Sequence, residues 1–230
     1  MVHPTSLDRG PARPAGIGDH CLMAPPRFYF GAMSPYSWLA AERIEALLPE
    51  ARWRGVFAGA IFKASGRSSW GLGEARREGM AECEARAADY GLGTILWPAP
   101  WPTSDLHIAR AMTFVSPTPA STSASPAAGG GDELLRRLAL AAMRLAFLEG
   151  RDLGEAETVL EAGDRAGLDR RELREALVDA EIKQALRECT DEALALGVFG
   201  VPTVAIEGEL YWGDDRLGEA AADYRSRASA

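Results

Sequence analysis

Cysteine and histidine are both scarce in this chain, with three of each among 230 residues. Cys21, Cys83 and Cys189 lie far apart, which excludes a CxxC redox pair and a cysteine-based zinc cluster and leaves free thiols in a reducing compartment. His3, His20 and His107 form no metal-ligand spacing. Positive charge is in deficit, 25 basic against 33 acidic residues for a net charge of -8, and no basic cluster offsets it. Such a surface repels phosphates, so nucleic acid is not an expected partner. Long apolar runs are missing as well. The longest uncharged stretch, residues 111–131, is rich in Ser, Thr, Pro and Gly and cannot serve as a membrane span of roughly 20 apolar residues. The first 27 residues, MVHPTSLDRGPARPAGIGDHCLMAPPR, contain no continuous apolar core of a secretory signal. The expectation is a disordered leader over residues 1–26 in front of a cytoplasmic protein with no membrane attachment.

What the chain does have is a hydrophobic content of 47%, enough for one large domain or one domain with a sizeable insertion. Residues 27–31 (RFYFG) form a short aromatic run ended by glycine, which reads as a buried strand. Residues 36–48 then place Trp38, Leu39, Ile44, Leu47 and Leu48 near helical spacing, and Pro49 closes the segment. Residues 51–58 (ARWRGVFA) read as a second strand, so the opening is a parallel βαβ unit.

From residue 60 to about 196 the strand signal nearly vanishes. Segments 74–90, 132–149, 153–166, 169–180 and 181–196 are rich in Ala, Leu, Glu and Arg at helical intervals. Within this block, SPTPASTSASPAAGGG (116–131) is too poor in large apolar residues to order itself by burial, and reads as a flexible loop. The pattern then switches back. Residues 202–207 (PTVAIE) and 209–212 (ELYW) read as a hairpin around Gly208, followed by a helix capped by Asp214 or Asp215. The division that follows is a leader, an α/β domain made of residues 27–60 and 190–226, and a helical insertion over residues 61–189.

Two places stand out chemically. Ser34-Pro35 opens the first helix, with a serine suited to the N-cap and a proline suited to the first helical position. Capping alone accounts for both. The same helix start follows a strand of an α/β unit, where unpaired N–H groups and the positive dipole end favour an anion such as a thiolate. Val201-Pro202 precedes the late strand, where a proline cannot donate to a ladder. Its ordinary form is trans.

Taken together, SPYS at a helix start and GVPT before a later strand resemble, in chain order, the reactive motif and facing cis-proline of the thioredoxin-like fold. The helical block between them resembles the DsbA-like branch. FYFGAMSPYSWLA, GAIFKASGR and GVFGVPTVAIEGELYWGDDRL are similar to 2-hydroxychromene-2-carboxylate isomerases and their relatives, the kappa-class glutathione transferases. The resemblance covers about residues 27–225. It implies a thioredoxin-like α/β fold with a large all-helical insertion, and a glutathione-dependent cis-trans isomerase acting on aromatic keto acids in aromatic-compound degradation. The alternatives are a kappa-like glutathione transferase or peroxidase and a catalytically silent binding protein.

Residue by residue, the resemblance implies that Ser34 hydrogen-bonds the sulfur of glutathione or another low-molecular-weight thiol. The backbone of Val201, before Pro202, pairs with the cysteinyl part, and Asp214 and Asp215 hold the γ-glutamyl ammonium. Lys63 meets a carboxylate, and Tyr36, Arg67, Trp97 and Trp101 stand on the side of a small aromatic substrate. A homodimer is also implied, and no metal. Arg67 stands where relatives often have asparagine and Glu78 where many have tyrosine, which leaves the substrate open.

Overall fold

The computed structural model describes residues 23–116 and 131–229. Residues 1–22 and 117–130 lie outside the described part, and with them Cys21, nearly all of the leader and nearly all of the 116–131 loop.

Strand β1 (Arg27–Phe30), helix α1 (Pro35–Leu47) and strand β2 (Arg52–Gly55) form the opening unit. The two strands pair in parallel, Arg27 opposite Arg52 and Phe30 opposite Gly55. Strands β3 (Thr203–Ile206) and β4 (Glu209–Trp212) form an antiparallel hairpin, and β3 lies antiparallel to β1. The sheet order is β2-β1-β3-β4. Glu207 (φ 46) and Gly208 (φ 95) both turn with positive φ, as a two-residue hairpin loop needs to match the twist of its strands.

Alternation along β1 divides the core. Phe28 and Phe30 join the main apolar cluster with α1, both meeting Trp53 edge-on at 5.1 and 5.2 Å. Tyr29 points to the other face, among Val56, Ile61, Ala193 and Val198. Period-two alternation therefore gives each face of the strand its own partner layer.

Between β2 and β3 run helices α2 (Ala58–Ala64), α3 (Arg76–Asp89), α4 (Leu106–Val115), α5 (Gly131–Glu149), α6 (Ala156–Ala166), α7 (Arg170–Ala176) and α8 (Ala180–Ala195), with a short 3-10 turn at Trp70–Leu72. Helix α9 (Leu217–Ala228) closes the chain. Asp169 and Asp179 cap α7 and α8 through their carboxylates, and Gly167 ends α6 in the left-handed conformation.

Three local expectations are corrected. The second strand is shorter than residues 51–58 because Ala58 already opens α2. Helix α4 was not expected, since its residues border the uncharged loop. The last helix is not capped by Asp214 or Asp215: its N-cap is Arg216, without a side-chain bond. The Asp214 carboxylate is engaged elsewhere, by Arg86 and Tyr90.

Candidate active site

The carboxyl ends of β1 and β2 converge on one cavity of about 640 Å³, a size usual for small-molecule sites. Its walls include Met33, Ser34 and Tyr36 from the start of α1, Phe57, Phe62 and Lys63 around α2, and Arg67 and Trp70 beyond it. Trp101 and Asp105, ahead of α4, and Val201 and Trp212, from the second half of the chain, complete it.

Ser34 is the N-cap of α1, with extended backbone (φ -89, ψ 119) and Oγ accepting from the Ser37 N–H at 3.3 Å. That bond uses a lone pair and leaves the hydroxyl proton free to donate. Pro35 has no N–H, and the Tyr36 N–H has no acceptor among the described residues, so the helix end keeps donor capacity at its positive dipole end. Capping and anion binding are therefore compatible uses of one serine.

Gly31, three residues earlier, marks the closest approach of the converging segments. A Cβ there would lie 2.8 Å from Ala58 Cβ, 3.1 Å from Asp105 Oδ2 and 3.6 Å from Val201 Cγ2. Only glycine lets α2, the start of α4 and the Val201 loop meet at this point. The Val201–Pro202 peptide is cis. The backbone N–H and C=O of Val201 have no hydrogen-bond partner among the described residues, while the Pro202 carbonyl accepts from the Gly213 N–H at 3.0 Å.

Two cations stand at the mouth. Lys63 is exposed and Arg67 is exposed, and neither has an ion-pair partner among the described residues. The Arg67 guanidinium lies 4.9 Å from the centroid of the Trp212 ring and 5.7 Å from that of Phe199. Cation-π contact positions its charge while leaving its N–H fork for a carboxylate.

The aromatic wall is stacked in depth. Trp101 lines the cavity and donates its indole N–H to the Met33 carbonyl at 3.3 Å. Trp97 stands behind it, centroids 4.7 Å apart, with its own N–H on Glu84 at 2.7 Å. Tyr36 lines the cavity, but its hydroxyl donates to Glu82 at 3.0 Å, and burial with the neighbouring Cys83 and Glu82 raises its pKa beyond the ordinary tyrosine range. It stays protonated.

Of the expected site residues, the cavity gathers Ser34, Tyr36, Lys63, Arg67, Trp101 and Val201. Trp97, Pro202, Asp214 and Asp215 are not in its wall. Asp214 is fully buried, 2.7 Å from Arg86 Nη1, 3.0 Å from the Tyr90 hydroxyl and 4.0 Å from Arg43. Burial raises its pKa against the pull of Arg86 and Tyr90. Asp215 is exposed, 3.7 Å from Arg86. Glu78 lies exposed in the first turn of α3.

Among the wall residues not foreseen is one buried carboxylate. Asp105 is 4% exposed, and burial pushes its carboxyl up to about 6. Serine and aspartate ahead of the apolar pattern of Ile108, Ala109 and Met112 are a helix-start signature, which is the signal that would have found α4 and Asp105 with it. Cys83 is buried in α3 and pushed up to about 12, chiefly by burial, and Cys189 is half-buried and also raised. Neither lines the cavity. Among the described residues no group of three or more His, Cys, Asp or Glu is placed to hold a metal, and no helix is long and apolar enough to cross a membrane.

A βαβ unit and a ββα unit sharing one sheet, with a helical block inserted between them and a helix start that lines one cavity with the residue before a cis-proline, define a thioredoxin-type fold. The fold is the DsbA-like thioredoxin fold with a helical insertion, and the family model for the DSBA-like thioredoxin domain matches residues 118–225. Among solved structures it is similar to a 2-hydroxychromene-2-carboxylate isomerase, with a TM-score of 0.72 and 21% identity over 90% of this chain and 98% of that one. It is also similar to a probable DsbA oxidoreductase from Streptomyces coelicolor, with a TM-score of 0.66 and 18% identity over 88% of this chain and 90% of that one. The cytosolic disulfide reductase DsbM from Pseudomonas aeruginosa, solved with GSH, follows with a TM-score of 0.58 and 15% identity over 90% of this chain and all of that one. No curated protein matches by sequence.

Proposed function

We propose that the protein is a thiol-dependent isomerase that uses glutathione to interconvert cis and trans forms of an aromatic, conjugated keto acid. The observation that carries this reading is the meeting, in one apolar cavity, of the Ser34 hydroxyl at a helix start and the unpaired backbone of Val201. A hydroxyl and a positive helix end suit a thiolate, and a free N–H and C=O suit the peptide of its cysteinyl unit. Because the tetrad Ser34-Pro35-Tyr36-Ser37 contains no cysteine, the thiol is brought in rather than built in.

The chemistry is a reversible addition. The thiolate sulfur bonds to the alkene carbon conjugated with the ketone, and the displaced electron pair moves onto the ketone oxygen. The former double bond rotates as a single bond. The electron pair then returns, the C–S bond breaks, and thiolate and isomerised alkene separate. Lys63 and Arg67, uncompensated at the mouth, suit the substrate carboxylate, and Trp101 and Phe57 suit its ring. DsbM solved with GSH supports a thiol of this class in a neighbouring protein.

The test is isomerisation of a 2-hydroxybenzylidenepyruvate by purified protein with and without glutathione. Thiol-dependent turnover lost in Ser34→Ala is expected, with the thiol recovered unchanged. Turnover that ignores both thiol and Ser34 sinks the proposal, and stoichiometric loss of thiol marks a kappa-like transferase instead.

A further inference from the structure

We propose that Asp105 is the proton carrier of this cavity, taking the proton of the bound thiol and passing it to the oxygen that becomes negative on addition. The inference rests on reading the cavity as a thiol site, but it concerns a residue that reading does not use.

The geometry comes first. Asp105 occupies the N-cap position of α4, where an aspartate ordinarily binds the first N–H groups of its own helix, yet it makes no such bond. The Leu106 N–H goes to Ser104 Oγ instead, at 3.3 Å. The Asp105 carboxylate is turned inward: Oδ2 accepts from the Ala58 N–H at 3.4 Å and lies against Gly31. Gly31 in turn accepts, through its carbonyl, from the Ser34 N–H at 3.0 Å. The carboxylate thus backs the loop that presents Ser34. Among the described residues no side chain hydrogen-bonds its other oxygen, Oδ1, although the residue lines the cavity. A carboxyl buried this deeply, held by backbone N–H groups and by no side chain among the described residues, is costly to keep unless it has work in the cavity.

The electrostatics agree. The titratable groups that share the cavity wall with Asp105 are Tyr36 of α1, Lys63 of α2 and Arg67 after it. None contributes to the raised pKa of about 6, which comes from burial set against two backbone N–H groups. Near neutral pH the group is largely ionised and can accept a proton, and its acid form is a donor.

The step balances. Glutathione S–H gives its proton to the Asp105 carboxylate, leaving thiolate and carboxylic acid. The sulfur adds to the alkene carbon, and the Asp105 O–H gives its proton to the ketone oxygen as the electron pair arrives there. After rotation the enol proton returns to Asp105, the alkene re-forms and the C–S bond breaks.

Calorimetry of glutathione binding near pH 7.5, in two buffers of different ionisation enthalpy, counts the protons released. Wild type should release well under one proton, because Asp105 keeps it, whereas Asp105→Asn should release about one. In the isomerase assay Asp105→Asn should lose roughly 10²-fold in kcat. Equal proton release by both proteins overturns the proposal. Binding without isomerisation overturns only the reaction proposed above, since the proton count still judges Asp105. No binding by wild type overturns both.

Discussion

Arg86 Nη1 lies 2.7 Å from Oδ1 of the fully buried Asp214, and this pair ties α3 of the helical block to the loop between β4 and α9. Tyr90, the C-cap of α3, donates to Oδ2 of the same carboxylate at 3.0 Å, and Arg43 of α1 stacks 3.7 Å from the Tyr90 ring centroid. Removing one partner of a buried ion pair leaves an uncompensated charge, which costs about 3–5 kcal/mol. Arg86→Ala should therefore lower stability by that order in denaturant unfolding at pH 8. Its remaining Asp214, raised further, destabilises above its pKa and not below it, so the deficit should shrink as the pH falls. A deficit independent of pH would show that the loss is packing rather than charge.

Ser34 has two uses that substitution can separate. Ser34→Ala removes both the cap and the hydroxyl, and should cost about 1 kcal/mol of stability along with thiol binding. Ser34→Asp keeps an acceptor for the Ser37 N–H but sets a negative charge where a thiolate would sit. Its melting temperature should match or exceed wild type, while the thermal shift produced by millimolar glutathione disappears. A full glutathione shift in Ser34→Asp would mean that the thiol binds elsewhere.

Lys63 and Arg67 should read charge on the substrate, not stability. Each is exposed and without an ion pair among the described residues, so Lys63→Met and Arg67→Met should change stability by less than about 0.5 kcal/mol. Each should raise KM for a keto acid roughly tenfold, and leave the corresponding methyl ester unaffected. Arg67→Lys should recover only part, because an ammonium loses the planar stacking over Trp212. Equal effects on acid and ester would argue that the cations serve another carboxylate.

Asp105 should trade stability for its place in the cavity. Its carboxyl titrates near 6 in the folded chain against an ordinary 3.8, so the folded state binds the proton more tightly. The acid form is favoured on folding, and stability falls as the pH rises from about 4 to about 6, by as much as about 3 kcal/mol. Asp105→Asn lacks this penalty. It should be more stable than wild type at pH 7 and nearly equal at pH 4, measured by urea unfolding at both values.

The order of the strands, and of the helices other than α2 and α4, was legible because it rests on local signals: the aromatic run ended by Gly31, the serine-proline start of α1, and the tight turn at Gly208. The helices from α5 to α8 carried enough apolar periodicity to read within a few residues. What escaped depends on contacts between distant segments. Asp214 looks like a helix cap, and only the fold brings Arg86 and Tyr90 to it. Asp105 looks like a helix cap too, if α4 is seen at all, and nothing local says that its carboxylate turns toward Ala58. Ser34 and Val201 were singled out as a pair by resemblance, and the closeness of their segments depends on Gly31, whose missing Cβ has no signature in composition or spacing.

The sheet order has a consequence for how this molecule comes into being. Arg27 on β1 pairs with Ala205 on β3, so nearly the whole described chain lies inside the loop which that pairing closes. Closing so long a loop is entropically expensive unless the intervening helices have already compacted it. The helical block is thus the scaffold that brings the two halves of the sheet within reach, and the cavity between Ser34 and Val201 forms only once they have met. During synthesis, β1 and its exposed edge must wait until β3 and β4 emerge. A ligand that bridges Ser34 and Val201 would accordingly report on completed chain closure as much as on the site itself.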